Sequence, residues 1–317
     1  MDIGGGAMIC GGLDIGGTKI EARLFDAAMK PQDSRRVATP RDSADAFFAA
    51  VAAQVAWMRD RAGDDLAVGI AMTGLVEPGT GLARTANLPI SGQPMAERLA
   101  AAVGSPLPVM NDSMALAFSE SHGGAAEGAA AAIGLILGTG VAAGYCVAGA
   151  PAPRVGGLAV EIGHSGMPGR ALQRHGLGLW RCGCGRDGCI EAYVAGPGLT
   201  RLADHAGLGP VPPPDLSARA AAGDAAAGSV LAVWADLTAE ALEVVQMTID
   251  PDIVVLGGGL SRMPGVVDRL TAALPPRLMA GVPVPTLRLA RFGDASGVRG
   301  AALLARMIGR GELSWTP

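Results

Sequence analysis

Two short apolar segments that each run straight into a glycine turn constrain the fold of this chain more than anything else in it: Leu13-Asp14-Ile15-Gly16-Gly17-Thr18 and Leu137-Gly138-Thr139-Gly140. Runs of this length suit strands, and glycines at their ends let the chain reverse, so each segment reads as strand, turn, strand. The first strand spans Met8 to Asp14 and returns along Ile20 to Phe25. The likeness of the two units suggests an internal duplication, and paired turns of this kind suit one phosphate chain held from two domains. Glycines let backbone N–H groups approach anionic oxygens, Thr18 adds a hydroxyl, and Asp14 can hold Mg²⁺ through water. A third run, Gly257-Gly258-Gly259, follows the buried strand Ile253-Val254-Val255-Leu256. A lone Gly-Gly is ordinary in a β-hairpin. Three glycine turns after apolar strands favour a nucleotide.

Between these turns, helical and strand patterns alternate: a helix from Ser43 to Arg61, a strand from Leu66 to Met72, a helix from Gln93 to Val103 and a strand from Leu107 to Met110. A helix begins near Asp112, an irregular Gly/Cys-rich region runs from Arg154 to Cys189, helical sequence follows to about Asp250, and Ala295 to Ile308 closes the chain as a helix. Alternation of this kind predicts an α/β fold. A length of 317 residues allows two domains or one large one. The uncharged stretch Gly128 to Pro153 is long enough to cross a membrane. Its glycines and prolines predict two buried strands around a turn instead.

A net charge of −4, with Lys19 and Lys30 as the only lysines, gives no polybasic patch, so neither a nucleic acid nor a membrane is expected as partner. The start of the chain lacks the charged beginning of a secretory signal, which predicts a cytoplasmic protein; Met8 is an alternative start. Five cysteines, three of them between 182 and 189, argue against a secreted disulfide framework. Cys10 and Cys146 sit in apolar strands, where cysteine is a small hydrophobe.

Two constellations carry chemistry. Asn111-Asp112 lies where a strand passes into a helix, a position that suits either a helix cap or a carboxylate projected from a rigid element to take a proton. Cys182-Gly-Cys184-Gly-Arg-Asp-Gly-Cys189, preceded by Glu161-Ile-Gly-His164 and followed by Glu191, offers three thiolates and an imidazole. Such a set closes a tetrahedral site for structural Zn²⁺ with no open position for a catalytic water. Gly183, Gly185 and Gly188 permit the tight winding, and His175 is a rival for His164 as fourth ligand.

Together Asp14-Ile-Gly-Gly-Thr-Lys19, Asn111-Asp112, Leu137-Gly-Thr-Gly-Val141, Glu161-Ile-Gly-His164, the cysteine run with Ile190-Glu191, and Val255-Leu-Gly-Gly-Gly-Leu260 resemble the ROK (repressor, ORF, kinase) family of sugar kinases, over Leu13 to about Ile308. The resemblance implies a two-lobed actin-like ATPase (ribonuclease H-like) fold, with 1–111 plus 296–317 as one lobe, 112–295 as the other, and the zinc segment 161–191 embedded in the second. It implies ATP-dependent phosphorylation of the 6-hydroxyl of N-acetylglucosamine, with fructose, glucose and mannose derivatives as alternatives, Mg²⁺ and structural Zn²⁺ as cofactors, and a homodimer. Asp112 is then the base, and Thr73, Gly74, Asn87, Asn111, Glu161, His164 and Glu191 surround the sugar. Asp14, Gly16, Gly17, Thr18, Lys19, Gly138, Thr139, Gly140, Gly257, Gly258 and Gly259 hold the nucleotide. His164, with Cys182, Cys184 and Cys189, is the metal ligand. Members that are repressors carry an N-terminal DNA-binding domain, for which the sequence before the first strand is expected to be too short. The chain departs from the family pattern at Met114, at Ala142 and Ala143, and in Ala71-Met-Thr-Gly74.

Overall fold

The computed structural model describes residues 9–315, so Met8 lies outside the described residues. In chain order the first elements are β1 (Cys10–Ile15), β2 (Lys19–Phe25), β3 (Pro31–Ala38), α1 (Ala44–Ala62), β4 (Ala67–Met72), β5 (Leu75–Val76), β6 (Ala83–Arg84), α2 (Met95–Val103), β7 (Val109–Asn111) and α3 (Asp112–Glu120). There follow β8 (Ala131–Leu137), β9 (Val141–Val147), β10 (Ala150–Pro151), α4 (Gly169–Arg174), α5 (Glu191–Val194), α6 (Gly196–His205), α7 (Pro213–Ala221) and α8 (Ala225–Ile249). The last are β11 (Ile253–Gly257), α9 (Val266–Ala273), β12 (Thr286–Leu289) and α10 (Ser296–Gly309). They form two compact units, Met1–Ser119 with Pro151–Ala159 and Ala295–Pro317, and Glu120–Ala150 with Val160–Asp294.

In the first unit five strands form a sheet in the order β3-β2-β1-β4-β7. β2 is antiparallel to both β1 and β3, whereas β4 is parallel to β1 and to β7. Successive residues of a strand face opposite sides of the sheet, and Gly11 and Gly12 show what covers each side. A Cβ on Gly11 would meet Met58 Sδ of α1, and one on Gly12 would lie 2.0 Å from the Val298 carbonyl oxygen of α10. Gly69 of β4 meets the Ala301 carbonyl oxygen equally closely, at 2.1 Å, so α10 rests backbone to backbone on the central strands. On the other side Phe47, Phe48, Val51, Val55 and Met58 of α1 pack with Leu13, Ile20, Leu24 and Ile70 in one buried cluster. Ser43 caps α1 by accepting from Ala46 N at 3.1 Å, a contact worth about 1 kcal/mol.

The second unit repeats the order as β10-β9-β8-β11-β12. The stretch from Gly128 to Pro153 supplies β8, β9 and β10 of this sheet, so its apolar residues serve strands, as its glycines indicate. The core gathers on α8, whose Trp234, Leu237 and Leu242 pack with Ile133, Tyr193 and Leu256. Trp234 donates its indole N–H to the Val194 carbonyl at 2.9 Å. Among the described residues α8 is the one helix long and apolar enough to cross a membrane, and most of its apolar window is buried in this core.

The chain leaves the first unit after Ser119 rather than at residue 112. α3 is bound to α10: a Cβ on Gly300 would lie 2.2 Å from the Ala115 carbonyl oxygen, and Arg299 donates to the Ser119 carbonyl at 2.8 Å. The segment Pro151–Ala159 belongs to the first unit as well.

Candidate active site

Strand register assembles each half of the site. In the first unit Ile15 lies beside Met72, and Met72 beside Asn111. The glycine turn after β1, Thr73-Gly74 after β4 and Asp112 after β7 therefore leave the sheet at one edge, the carboxyl end of its parallel strands, where ligands of open α/β sheets bind. The turn closes with Gly16 N donating to the Lys19 carbonyl at 3.0 Å. Thr39 holds it twice, donating its hydroxyl to the Gly16 carbonyl at 2.7 Å and its backbone N–H to the Thr18 carbonyl at 3.1 Å. Sequence reasoning gave this buried threonine no part in the turn, because its partners stand about twenty residues away and share no motif with it. Gly17 faces Asn87, whose Cβ lies 3.2 Å from where a Gly17 Cβ would be, and Asn87 is exposed. The Asp14 carboxylate lies against Gly297 at the start of α10, with Oδ2 2.9 Å from the place of a Gly297 Cβ. Lys19 extends to Glu21, its Nζ 3.6 Å from Oε2.

Thr73 donates its backbone N–H to the Ile15 carbonyl at 3.2 Å, and its buried hydroxyl meets no protein partner. Gly74 has φ +93, and a Cβ there would stand 2.4 Å from the Arg84 carbonyl oxygen, so no other residue fits. Its carbonyl accepts from Asn111 Nδ2 at 2.9 Å, while Asn111 Oδ1 accepts from Ser113 N and Oγ at 2.9 and 2.5 Å. Asn111 thus ties Gly74 to the first turn of α3 and keeps one amide hydrogen. Asp112 opens α3 half-buried, with Oδ1 accepting from Ser113 N at 2.8 Å. Met114 lies in the core, 1% exposed.

In the second unit Gly257 lies beside Ile136, which brings the turn after β8 and the turn after β11 to one edge. Gly258, at φ +82, approaches so closely that a Cβ would lie 2.4 Å from the Leu137 carbonyl oxygen. Gly138 accepts from Gly196 N at 2.7 Å, and Val141 N donates to Glu191 Oε2 at 2.9 Å. Ala143 is fully buried and pairs with both Leu135 and Val160, and Ala142 opposes Ile136. Gly138, Thr139 and Gly259 line a cavity of about 630 Å³ whose other walls come from α7, the start of α6 and residues 260–264. That volume falls in the range of small-molecule sites. The turn glycines were legible in the sequence. The walls were not, since prolines and alanines spread over two helices and a loop carry no motif.

His164 Nδ1, Cys182 Sγ, Cys184 Sγ and Cys189 Sγ lie within 4.8 Å of one another. His164 Nδ1 is 3.8 Å from Cys182 Sγ, and Cys184 Sγ is 3.6 Å from Cys189 Sγ. Ligand atoms around tetrahedral zinc, about 2.0–2.3 Å from the metal, stand at such separations, and these four residues can hold Zn²⁺. Gly185 and Gly188 take φ +91 and +77 to wind the loop; Gly183 adopts no such conformation. His175 is elsewhere, its Nε2 2.6 Å from Asp236 Oδ2 in a network with Arg174, Arg277 and the buried Glu240, which removes it as a rival ligand. Burial, then Arg174 and Arg277, lowers its pKa and favours the neutral ring. Glu191 stands between metal cluster and turn, with Oε2 on Val141 N and Oε1 3.7 Å from Cys182 Sγ. Burial, opposed by His164 and reinforced by Glu191, lifts the Glu161 carboxyl above the usual carboxylate range. Of the remaining cysteines, burial pushes the Cys10 thiol up to about 11 and the Cys146 thiol up to about 12, consistent with inert core positions.

Two units of one strand order, each with a glycine turn at the carboxyl edge of its sheet, define an actin-like α/β fold of the ribonuclease H type. The ROK family model matches residues 10–308, and the chain belongs to that family. It is 40% identical over 296 residues to the N-acetyl-D-glucosamine kinase of Escherichia coli O157:H7, covering 92% of this chain and 98% of that one. The solved ROK hexokinase of Thermus thermophilus is 31% identical with a TM-score of 0.82, covering 95% of this chain and 99% of its own. The ROK family glucokinase of Streptomyces griseus, solved in complex with glucose and AMPPNP, is 28% identical with a TM-score of 0.77, covering 94% and 99%.

Proposed function

We propose that this chain transfers the γ-phosphoryl group of ATP to the 6-hydroxyl of N-acetylglucosamine, releasing ADP and N-acetylglucosamine 6-phosphate. The observation that carries this reading is the similarity to the E. coli N-acetyl-D-glucosamine kinase, which runs through 98% of that protein. The site gives it a mechanism. Asp112, fixed at the start of α3, takes the proton of the 6-hydroxyl as that oxygen attacks phosphorus, a role that typically contributes about 10²–10⁴-fold. Asn111, Asn87, Thr73 and Gly74 hold the sugar from the first unit. Glu161, His164 and Glu191, in the second unit, are the residues proposed for its 1- and 2-positions.

The adenosine occupies the cavity of the second unit with its phosphates toward the amides of the turn at Gly138–Gly140, and the turn at Gly16–Thr18 is the phosphate turn of the first unit. Asp14 would hold Mg²⁺ through water, and that ion supplies neutralisation of phosphate charge. His164, Cys182, Cys184 and Cys189 would hold structural Zn²⁺, which fixes Glu191, two residues beyond Cys189, and Glu161, three before His164. A coupled ADP-release assay over N-acetylglucosamine, glucose, fructose and mannose derivatives tests the reading. The highest kcat/KM is expected with N-acetylglucosamine. A much higher value for glucose or fructose would remove the substrate assignment, and no ADP release with any hexose would remove the kinase.

A further inference from the structure

We infer that the donor cavity of the second unit does not read the nucleotide base by hydrogen bonds, so that GTP and ITP serve as phosphoryl donors alongside ATP. The inference rests on the proposed kinase reading and concerns the same cavity. Telling adenine from guanine takes a donor facing N1 together with an acceptor facing the exocyclic N6 group, since the two purines exchange those roles. The cavity is poor in donors. Pro197, Pro213, Pro214 and Pro264 all line it, and a proline has no backbone N–H.

Its polar side chains among the described residues are Thr139, Ser217 and Arg262. Thr139 belongs to the glycine turn, at the phosphate end. Arg262 is engaged by Asp294, donating to its Oδ2 at 2.8 Å in an exposed pair. Ser217, 9% exposed on α7, is then the single hydroxyl available to a base. Ala218, Leu260 and Met263 complete an apolar slot that holds any flat ring by shape and dispersion. A site built to hydrogen-bond its ligand rejects an analogue by about 10⁴–10⁵-fold, whereas an apolar pocket rejects one by only about 10–200-fold.

The test measures sugar phosphate formed by the full chain with its best hexose and Mg²⁺, supplied with ATP, GTP or ITP. The expected kcat/KM for GTP and ITP falls within about 100-fold of that for ATP. Activity with ATP and a loss beyond about 1,000-fold with both other purines would overturn the inference while leaving the kinase standing. No product from any triphosphate would instead remove the kinase reading. Ser217→Ala supplies the second arm, expected to move the ATP to GTP ratio by less than about tenfold; a collapse of ATP use with GTP use intact would make Ser217 the base reader and overturn the inference.

Discussion

The two units share a strand order but hold their glycine turns by different means. In the first, the turn is pinned by Thr39, 23 residues beyond Gly16 in the chain and itself at the end of the neighbouring strand. In the second, Val141 is pinned by the carboxylate of Glu191, 50 residues further on, at the start of α5 and just beyond the loop of the His/Cys₃ cluster. One turn is self-contained. The other depends on a segment with little regular structure of its own, which a metal would organise. Two sheets of one strand order thus support their turns in unlike ways, and zinc held by the His/Cys₃ cluster would act on the second turn.

Removing the zinc should produce the largest effect, because structural zinc sites contribute on the order of 10–16 kcal/mol in zinc-finger peptides. With a chelator, or in Cys184→Ser, amide hydrogen exchange should show residues 161–196 and the Val141 amide losing protection while β1, β2 and β4 keep theirs. Equal loss in both units, or a chain purified without zinc and fully protected, would break the comparison. Thr39→Val probes the other turn. It leaves the Gly16 carbonyl without its hydroxyl donor, a loss of about 1–3 kcal/mol, and should raise KM for ATP by about tenfold without changing zinc content, with Thr39→Ser restoring the value.

The smallest effect is one of pH, and it belongs to the first unit. Burial raises the pKa of Glu21, but hydrogen bonds from Arg36 and Arg23 outweigh burial and hold the carboxyl below its ordinary value of 4.5. A depressed carboxyl contributes stability that is present above its unfolded pKa and lost as pH falls through its folded pKa. The urea midpoint should therefore fall as pH drops below about 4.5, and Glu21→Gln should flatten that part of the profile. An unchanged slope would assign the acid sensitivity to other carboxylates.

Much of this arrangement was legible in the sequence. The β1–β2 hairpin, α1, β4, β11 and α10 declare themselves through apolar period and caps, and the cysteine spacing declares its cluster. β3 does not, because it is an edge strand with almost every side chain in water, held by its ladder and by Arg36 on Glu21. β12 buries only Leu287, so it has no alternation to read. The partnership of Thr39 with Gly16, the diversion of His175 to Asp236 and the proline-lined cavity are tertiary facts. Each joins residues that are ordinary in their own neighbourhoods.

The place of Asp112 at the sheet edge of the first unit is what suits a helix-opening carboxylate to the proposed role of base. Asp112→Asn keeps the shape of the side chain and removes its ability to take a proton. Turnover of N-acetylglucosamine with Mg-ATP should fall by about 10²–10⁴-fold, while zinc content, melting temperature and sugar affinity by calorimetry stay near those of the parent chain. Near-normal turnover in that variant would contradict the account.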